Sequence, residues 1–458
     1  MSFNSHQITT DITRTLARYI KGAKFEDFPP AVVERVKLML LHTIGSALCG
    51  TALWQYHDAA AIAKESSSGD ATGGATLWGD GKKVSAEAAA FVAGLLSDLL
   101  DWEDCSWGGH PSAGVVPASV IGAEIYKKSG KELLTAAILG YEIYQRSSRA
   151  APGNIVGNNS FAAIVPLIKY LDLDEREINR AFGIATACAI LPVNCHEETM
   201  SDALNYLYGL RAESAFLQAK TALYGIENME DALDDPTAFT AHMRSQNPEF
   251  FTKDLGVEYY LMDILIKHWP ANMYVQTYAE LADRLRRKYG FAPDDIEEIL
   301  IDPVVEYRYW FSETGFLSLT QAQFSIPYVI SAVLHHPEPG AVWYEEKTLT
   351  DSGVVALMNK VRAVSFIKNT PGHLYHLIKG YHPKKFMTVR LKDGTEYRDG
   401  IFTQPGHPSY MLTRDEFEER FRIMAKKALT PEKIEWIIDF LSDLENQPDA
   451  SLLAGFLY

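Results

Sequence analysis

The run Asp101-Trp102-Glu103-Asp104-Cys105-Ser106-Trp107-Gly108-Gly109-His110-Pro111-Ser112-Ala113-Gly114 gathers three carboxylates, a thiol and an imidazole between two apolar stretches, Ala88 to Leu100 and Val115 to Tyr126. A histidine beside carboxylates suits proton transfer, because its pKa lies near the working pH. Gly108-Gly109 lets the backbone approach a ligand closely or take positive φ, and Pro111 fits the first turn of the helix after it. A solvated acidic loop is the competing reading of the acids by themselves. The histidine, the paired glycines and the two tryptophans weigh toward a site.

The elements that must hold this loop are read from periodicity. Residues 8–22 and 30–49 have the apolar spacing of two amphipathic helices, separated by Phe28-Pro29-Pro30. Ala86 to Leu100 is rich in alanine and leucine, as a helix packed on several neighbours should be. The texture recurs at 115–128, 132–150, 160–171, 175–191 and 203–224. Beyond residue 255 the pattern is mixed. Ile296 to Asp302 reads as a strand and 318–336 as helix, while Phe386 to Leu391 alternates apolar and polar residues up to the Asp393-Gly394 turn, a strong hairpin signal. Thr413 to Glu416 has capping-box spacing and Thr430-Pro431 is an N-cap followed by proline, so the end of the chain is helical again. The expected fold class is mainly α: a large all-helical domain with an inserted smaller α+β lid domain. Residues 1–262 form the first part of the helical domain, 263–403 the lid, and 404–458 its C-terminal part. Such an insertion leaves a cleft at the junction, where small-molecule sites are common.

With 59 acidic residues against 43 lysines and arginines, the formal net charge of −16 argues against nucleic acid or an anionic membrane as partner. An anionic metabolite needs only a local cationic pocket within the negative whole. Cys49, Cys105, Cys188 and Cys195 have no paired short spacing for a disulfide framework or a zinc site. Cys195-His196-Glu197-Glu198 and His335-His336 lack further ligands at usable spacing, so no metal is expected. The N-terminus shows no basic n-region, and no run reaches about 18 uninterrupted apolar residues. The expected compartment is the cytoplasm.

Several short motifs, weak singly and specific in their order, carry a resemblance. They are Phe25-Glu26-Asp27-Phe28-Pro29, Leu40-Leu41-His42-Thr43-Ile44-Gly45, the acidic loop ending in His110-Pro111-Ser112, and Gly140-Tyr141-Glu142. Further on come Ala322-Gln323-Phe324-Ser325-Ile326-Pro327-Tyr328, Leu391-Lys392-Asp393-Gly394 and Gly406-His407-Pro408. Over essentially its whole length the chain resembles the MmgE/PrpD family of carboxylate-processing dehydratases, decarboxylases and epimerases. The resemblance implies a helical domain with a smaller α+β lid, a homodimer, and no cofactor or metal. It also implies active-site roles for Asp101 and His110, with Cys105 at the loop's threonine position.

Two departures accompany these matches. Decarboxylase-like members carry a lysine five residues before a glycine that corresponds to Gly209, a slot held here by Leu204; the lid histidine six residues after a proline is here Gln276. Gln276 can hydrogen-bond a carboxylate but cannot act as an acid. Positions 204, 208 and 211 share a helical face, so Tyr208 and Arg211 are candidates to fill the vacated space. A surface ion pair is the equally weighted reading of Arg211. Arg146 and Arg149 are further carboxylate-binding candidates. Asn272, in the Pro270 to Thr277 stretch, and Asn158, in the Pro152 to Ser160 loop before a helix, are candidate substrate contacts.

The expected function is that of a cofactor-independent lyase or isomerase. It would act on a small di- or tricarboxylate by proton transfer at a carbon next to a carboxylate. His110 would be the acid/base and Asp101 its orienting partner. An iminodisuccinate-like epimerase, with Cys105 as second acid/base, is the alternative. A catalytically silent carboxylate-binding member is the reading from another class.

Overall fold

The computed structural model describes residues 10–67, 74–106, 109–151, 157–189, 200–226, 229–235, 247–367 and 383–458. Trp107-Gly108, the loop residues 152–156 and the Cys195 to Glu198 motif lie outside the described residues. The fold is mainly α with small sheets, as its sequence patterns lead one to expect.

Helices α1 (Ile12–Gly22), α2 (Pro30–Gly50) and α3 (Trp54–Ser66) lead into α4 (Ala86–Leu99). Ser85 caps α4 by accepting from the Ala88 amide at 3.2 Å, and from Ala88 to Leu99 every residue is buried. A helix apolar on all sides belongs in the centre of a bundle. It packs against α2, α3, α5 (Ser112–Tyr126) and α9 (Ala203–Leu223), while α6 (Gly130–Ala150), α7 (Asn159–Tyr170) and α8 (Glu175–Cys188) form a layer beyond α5 and α9. Among the described residues no single helix is long and apolar enough to cross a membrane.

The α4–α9 crossing is unusually close. A Cβ on Gly94 of α4 would lie 2.8 Å from Ala212 Cβ, and one on Gly209 of α9 would lie 2.5 Å from the Phe91 carbonyl oxygen. Glycine at both positions therefore sets the separation of the two helices. The relative placement of Asp98 on α4 and of Asn205 and Tyr208 on α9 depends on it.

Beside the two-residue pairs β1 (Ala75–Thr76) with β2 (Lys83–Val84), β3 (Asp104–Cys105) with β4 (Leu265–Ile266) and β6 (Val304–Val305) with β8 (Phe366–Ile367), the described residues contain a four-stranded sheet in the order β10 (Glu396–Ile401), β9 (Lys385–Leu391), β5 (Ile296–Asp302), β7 (Val361–Ala363). β9 is antiparallel to both β10 and β5, and β7 is parallel to β5. The hairpin is the one expected at Asp393-Gly394. Helix α10 (Gln276–Tyr289) packs on the β9–β10 ribbon. The helical run expected at 318–336 is two helices, α11 (Leu319–Phe324) and α12 (Ile326–His335). Ser325 is extended between them and caps the second, and Pro327 in its first turn has no amide hydrogen to continue the first. After two short helices, α13 (Glu346–Leu349) and α14 (Ser352–Met358), the chain returns in α15 (Arg414–Ala425) and α16 (Pro431–Ser442). The Thr413–Glu416 capping box is formed, and both last helices pack on α2.

Gly209→Ala is expected to force α4 and α9 apart, lowering stability by about 1–3 kcal/mol in urea unfolding. Wild-type stability in this variant would show that the crossing relaxes freely.

Candidate active site

The acidic loop is drawn to the middle of the protein by a ladder two residues long. β3 (Asp104–Cys105) pairs antiparallel with β4 (Leu265–Ile266), Asp104 opposite Ile266 and Cys105 opposite Leu265. One residue further along, the Lys267 amide donates to the Glu103 carbonyl at 3.0 Å. The pairing thus delivers Lys267, 164 positions away in sequence, beside Glu103. Its fully buried ammonium donates to Glu103 Oε1 at 2.6 Å and to Asp101 Oδ1.

Gly406, in the Gly406-His407-Pro408 motif, fixes the other edge of β4. It has φ +91°, its carbonyl accepts from the Ile266 amide at 2.9 Å, and a Cβ there would overlap the Ile266 oxygen. Glycine answers both demands.

His110 is held by two carboxylates. Its Nδ1 lies 2.5 Å from Asp98 Oδ1 and 2.6 Å from Glu103 Oε1, whereas Asp101 Oδ1 is 3.7 Å away. Asp101 takes φ +50° directly after α4 ends, a conformation that aspartate tolerates at some cost. That turn aims its carboxylate at Lys267 and leaves the orienting role expected of it to Asp98 and Glu103. Asn205 of α9 donates to Asp98 Oδ2 at 2.9 Å and holds that carboxylate from behind. The Tyr208 ring stacks on the imidazole, centroids 5.5 Å apart and planes at 17°. His110 Nε2 makes no hydrogen bond among the described residues.

Three carboxylates and two cations share this dry space. Burial and the Lys267 ammonium disfavour a charged imidazole, yet Asp98 and Glu103 outweigh them and hold His110 protonated well above its ordinary range. Burial raises Asp101, and with Glu103 and Asp98 nearby it settles at about 6 despite the attraction of Lys267. Burial works against ionised Glu103 too, but Lys267 and His110 more than offset it and keep the group below the usual carboxylate range. Lys267 loses by desolvation and gains more from Asp101 and Glu103, so it stays charged. Ligand-type atoms of Asp98, Asp101, Glu103 and His110 lie within 4.8 Å of one another, a grouping able to hold a cation. Here the Lys267 ammonium takes that place.

Of the other residues singled out in the sequence, Cys105 is buried, its Sγ 3.3 Å from the Ser106 carbonyl and 3.4 Å from Met273 Sδ, and burial pushes the thiol up to about 11. Leu204 packs with Tyr208, Ala113 and Phe324, so the lysine slot is filled by apolar contact. Arg211 donates to the Cys188 carbonyl at the end of α8 rather than joining the cluster. Gln276 turns its amide onto the Trp269 and Ala271 carbonyls at 2.8 and 2.6 Å and accepts from the Trp269 amide at 2.9 Å, clamping the segment after Lys267. Asn158 donates to the Ala151 carbonyl at 3.3 Å. Arg146 pairs with Glu142 at 2.9 Å and Arg149 with Asp263, both away from the cluster. His335 Nδ1 lies 3.0 Å from the Ser331 carbonyl, a contact within its own helix.

Asn272 Oδ1 accepts from Arg308 Nε at 3.3 Å. Arg308 is itself buried, with its guanidinium 4.5 Å from the Phe324 ring centroid and 4.4 Å from that of Tyr307, and it has no carboxylate partner among the described residues. Through Phe324 it borders Tyr208. Gln323 ties this region to the acidic loop, donating to the Leu99 carbonyl at 2.8 Å while its own carbonyl accepts from the Asn272 amide at 3.1 Å.

Sequence reasoning misses Lys267, Asp98, Asn205 and Arg308. Asp98 is the sole acid between Ala88 and Leu100, and Lys267 directly follows the apolar run Ile264-Leu265-Ile266. A lone charge within or next to an apolar stretch is the signal for these two, since such a charge must find a partner; Asn205 and Arg308 carry no such signal.

Comparison with known proteins agrees with this architecture. The family model described as the MmgE/PrpD N-terminal domain matches residues 14–250, and that of the MmgE/PrpD C-terminal domain matches residues 269–445. The chain is similar to the cis-aconitate decarboxylase of Homo sapiens, 27% identical over 97% of this chain and 94% of that protein. It is 26% identical to the Mus musculus cis-aconitate decarboxylase, over 97% of this chain and 93% of that one. A cis-aconitate decarboxylase-like protein, oryM, of Aspergillus oryzae is 24% identical over 98% and 97% of the two chains. With both domain models matched in order over most of its length, the chain belongs to the MmgE/PrpD family.

Proposed function

We propose that the protein is a lyase of small di- or tricarboxylates, working without a cofactor through proton transfer at a carbon next to a carboxylate. The observation that carries this reading is His110. It is a charged imidazole gripped at Nδ1 by Asp98 and Glu103, with Nε2 left to donate. In decarboxylation the bond to the departing carboxylate breaks and its electron pair stays on the substrate carbon. The Nε2 proton then passes to that carbon, leaving a neutral imidazole that solvent reprotonates. In dehydration the same proton would go to the hydroxyl, which departs as water, while the neighbouring carbon gives up its proton to solvent and the C–H electron pair becomes the double bond. Cis-aconitate decarboxylation, the activity for which the relatives are named, supports the first outcome.

Arg308 is the group we assign to a substrate carboxylate. A buried guanidinium between aromatic faces, with no acid partner among the described residues, is suited to bidentate recognition of such a ligand. Leu204 in place of the family lysine removes one cation from the pocket, so the preferred carboxylate differs in shape or charge from that of lysine-bearing members. The epimerase reading requires a second acid/base on the opposite face of the carbon. Cys105 would have to supply it, and a thiol held near 11 against Met273 is a poor base at neutral pH.

Proton NMR in D₂O with di- and tricarboxylates tests the reaction. Decarboxylation by wild type should place deuterium on the carbon that loses its carboxyl group, dehydration should form a double bond with release of water, and His110→Ala should slow either by about 10²–10⁴-fold. Turnover surviving in His110→Ala would sink the assignment.

Two groups set the pH profile. Below pH about 6 Asp101 takes up a proton and its pairing with Lys267 is lost, so kcat/KM should fall on that side. Above neutrality activity should persist until His110 loses its proton, and Asp98→Asn should move that alkaline limb to lower pH because one stabilising carboxylate is gone. An alkaline limb unmoved by Asp98→Asn would show that His110 is not the titrating acid.

Arg308→Met should raise KM by about 10–100-fold with a smaller change in kcat. Equal KM in the two proteins would remove Arg308 from the substrate site.

A further inference from the structure

Among the described residues three lysines are buried: Lys37, Lys267 and Lys385. Lys37 donates to the Ser442 carbonyl at 2.8 Å and pairs with Glu445, and Lys267 pairs with Asp101 and Glu103. Lys385 has no such partner. It is 2% exposed and makes no hydrogen bond or ion pair among the described residues; its ammonium lies 6.0 Å from the centroid of the Tyr278 ring.

The strand explains the placement but not the residue. Lys385, Met387 and Val389 are the alternate, inward positions of β9, so a cation stands in line with two apolar side chains. Desolvation is uncompensated there and pushes its pKa down to about 8. A buried charge held without a counter-charge is costly, which directs attention to what the ammonium faces.

It lines a cleft between β9, the segment after β4 and the start of α10, with Met273, Tyr274, Thr277 and Gln404 among the other walls. Among the described residues no aspartate or glutamate lines this cleft. Thr277 Oγ1 donates to Gln404 Oε1 at 3.0 Å, which turns the amide nitrogen of Gln404 into the free donor end of that side chain. The cleft therefore offers a cation and an amide donor and, among the described residues, no fixed anion.

We propose that this cleft binds the carboxylate group of a small organic anion, with Lys385 as its counter-charge and Gln404 as a second donor. The carboxylate can belong to a free monocarboxylate or to the far end of a dicarboxylate bound at His110. Met273 lies between the two places, since it lines the cleft and touches Cys105 Sγ at 3.4 Å. Occupancy of the cleft does not depend on the reaction assigned to His110.

The test is thermal unfolding of the full chain in sodium acetate or sodium succinate, with sodium chloride at matched ionic strength as control. Acetate should raise the wild-type Tm by about 2 °C or more in a saturable manner. Lys385→Met should be no less stable than wild type without ligand, because a charge lacking a partner has been removed, and it should not respond to acetate. His110→Ala should keep the acetate response. A succinate response lost in both variants would identify one ligand spanning cleft and active site; one lost only in Lys385→Met would identify a free carboxylate. Equal acetate shifts in wild type and Lys385→Met, or none in either, would overturn the proposal. Should Lys385→Met fail to fold, Lys385→Gln carries the same comparison. Saturation-transfer NMR of the acetate methyl on wild type is an independent reading, and absence of transfer would overturn the proposal.

Discussion

Three carboxylates, Asp98, Asp101 and Glu103, are buried within reach of one another, and they can be so only because Lys267 and a protonated His110 lie among them. Each of these acids alone in an apolar interior would take up a proton or destabilise the fold. Together with the two cations they form a cluster whose protons are shared, and the same balance gives His110 its acidity and Asp101 its raised pKa. The charge pattern of the site and its stability are one problem with one solution.

That solution depends on backbone geometry some distance from the charges. The two-residue β3–β4 ladder delivers Lys267, the left-handed turn at Asp101 aims one acid away from His110, and the Gly94–Gly209 crossing sets how far Asn205 and Tyr208 stand from Asp98 and the imidazole. The α+β part contributes through Gln276, Gln323 and Gly406, each of which fastens a backbone segment carrying or bordering the site. Gln276, a candidate substrate contact by sequence, is given to scaffolding here. Its amide satisfies two carbonyls in the turn after Lys267, a task for which a fork of donors and an acceptor is well suited.

Much of the fold was legible in the chain because helix and strand periods are local. The alanine-rich run at 86–100, the capping box at Thr413, the proline after Thr430 and the Asp393-Gly394 hairpin each report on a few neighbouring residues, and each formed where its pattern placed it. The break at Ser325 was missed because two short helices in line have the apolar period of one. In the site, the acidic loop and His110 stood out as a concentration of ionisable residues, whereas Lys267, Asn205 and Arg308 each stand alone among residues of another kind.

The sequence by itself thus determined the family architecture, the helical bundle and the presence of an imidazole among acids, since these depend on composition, period and motif order. Tertiary structure alone decided which acid touches His110, which cation neutralises the acids, and which buried cations lack a partner. Those are questions of distance between residues remote in the chain. Lys267 meets Glu103 across 164 positions, Asn205 meets Asp98 across 107, and Lys385 is brought inward with no acid to meet it among the described residues. Electrostatic energy in a dry interior is large and depends on the distance and burial of each pair, so only the packed arrangement assigns these groups their charges and their roles.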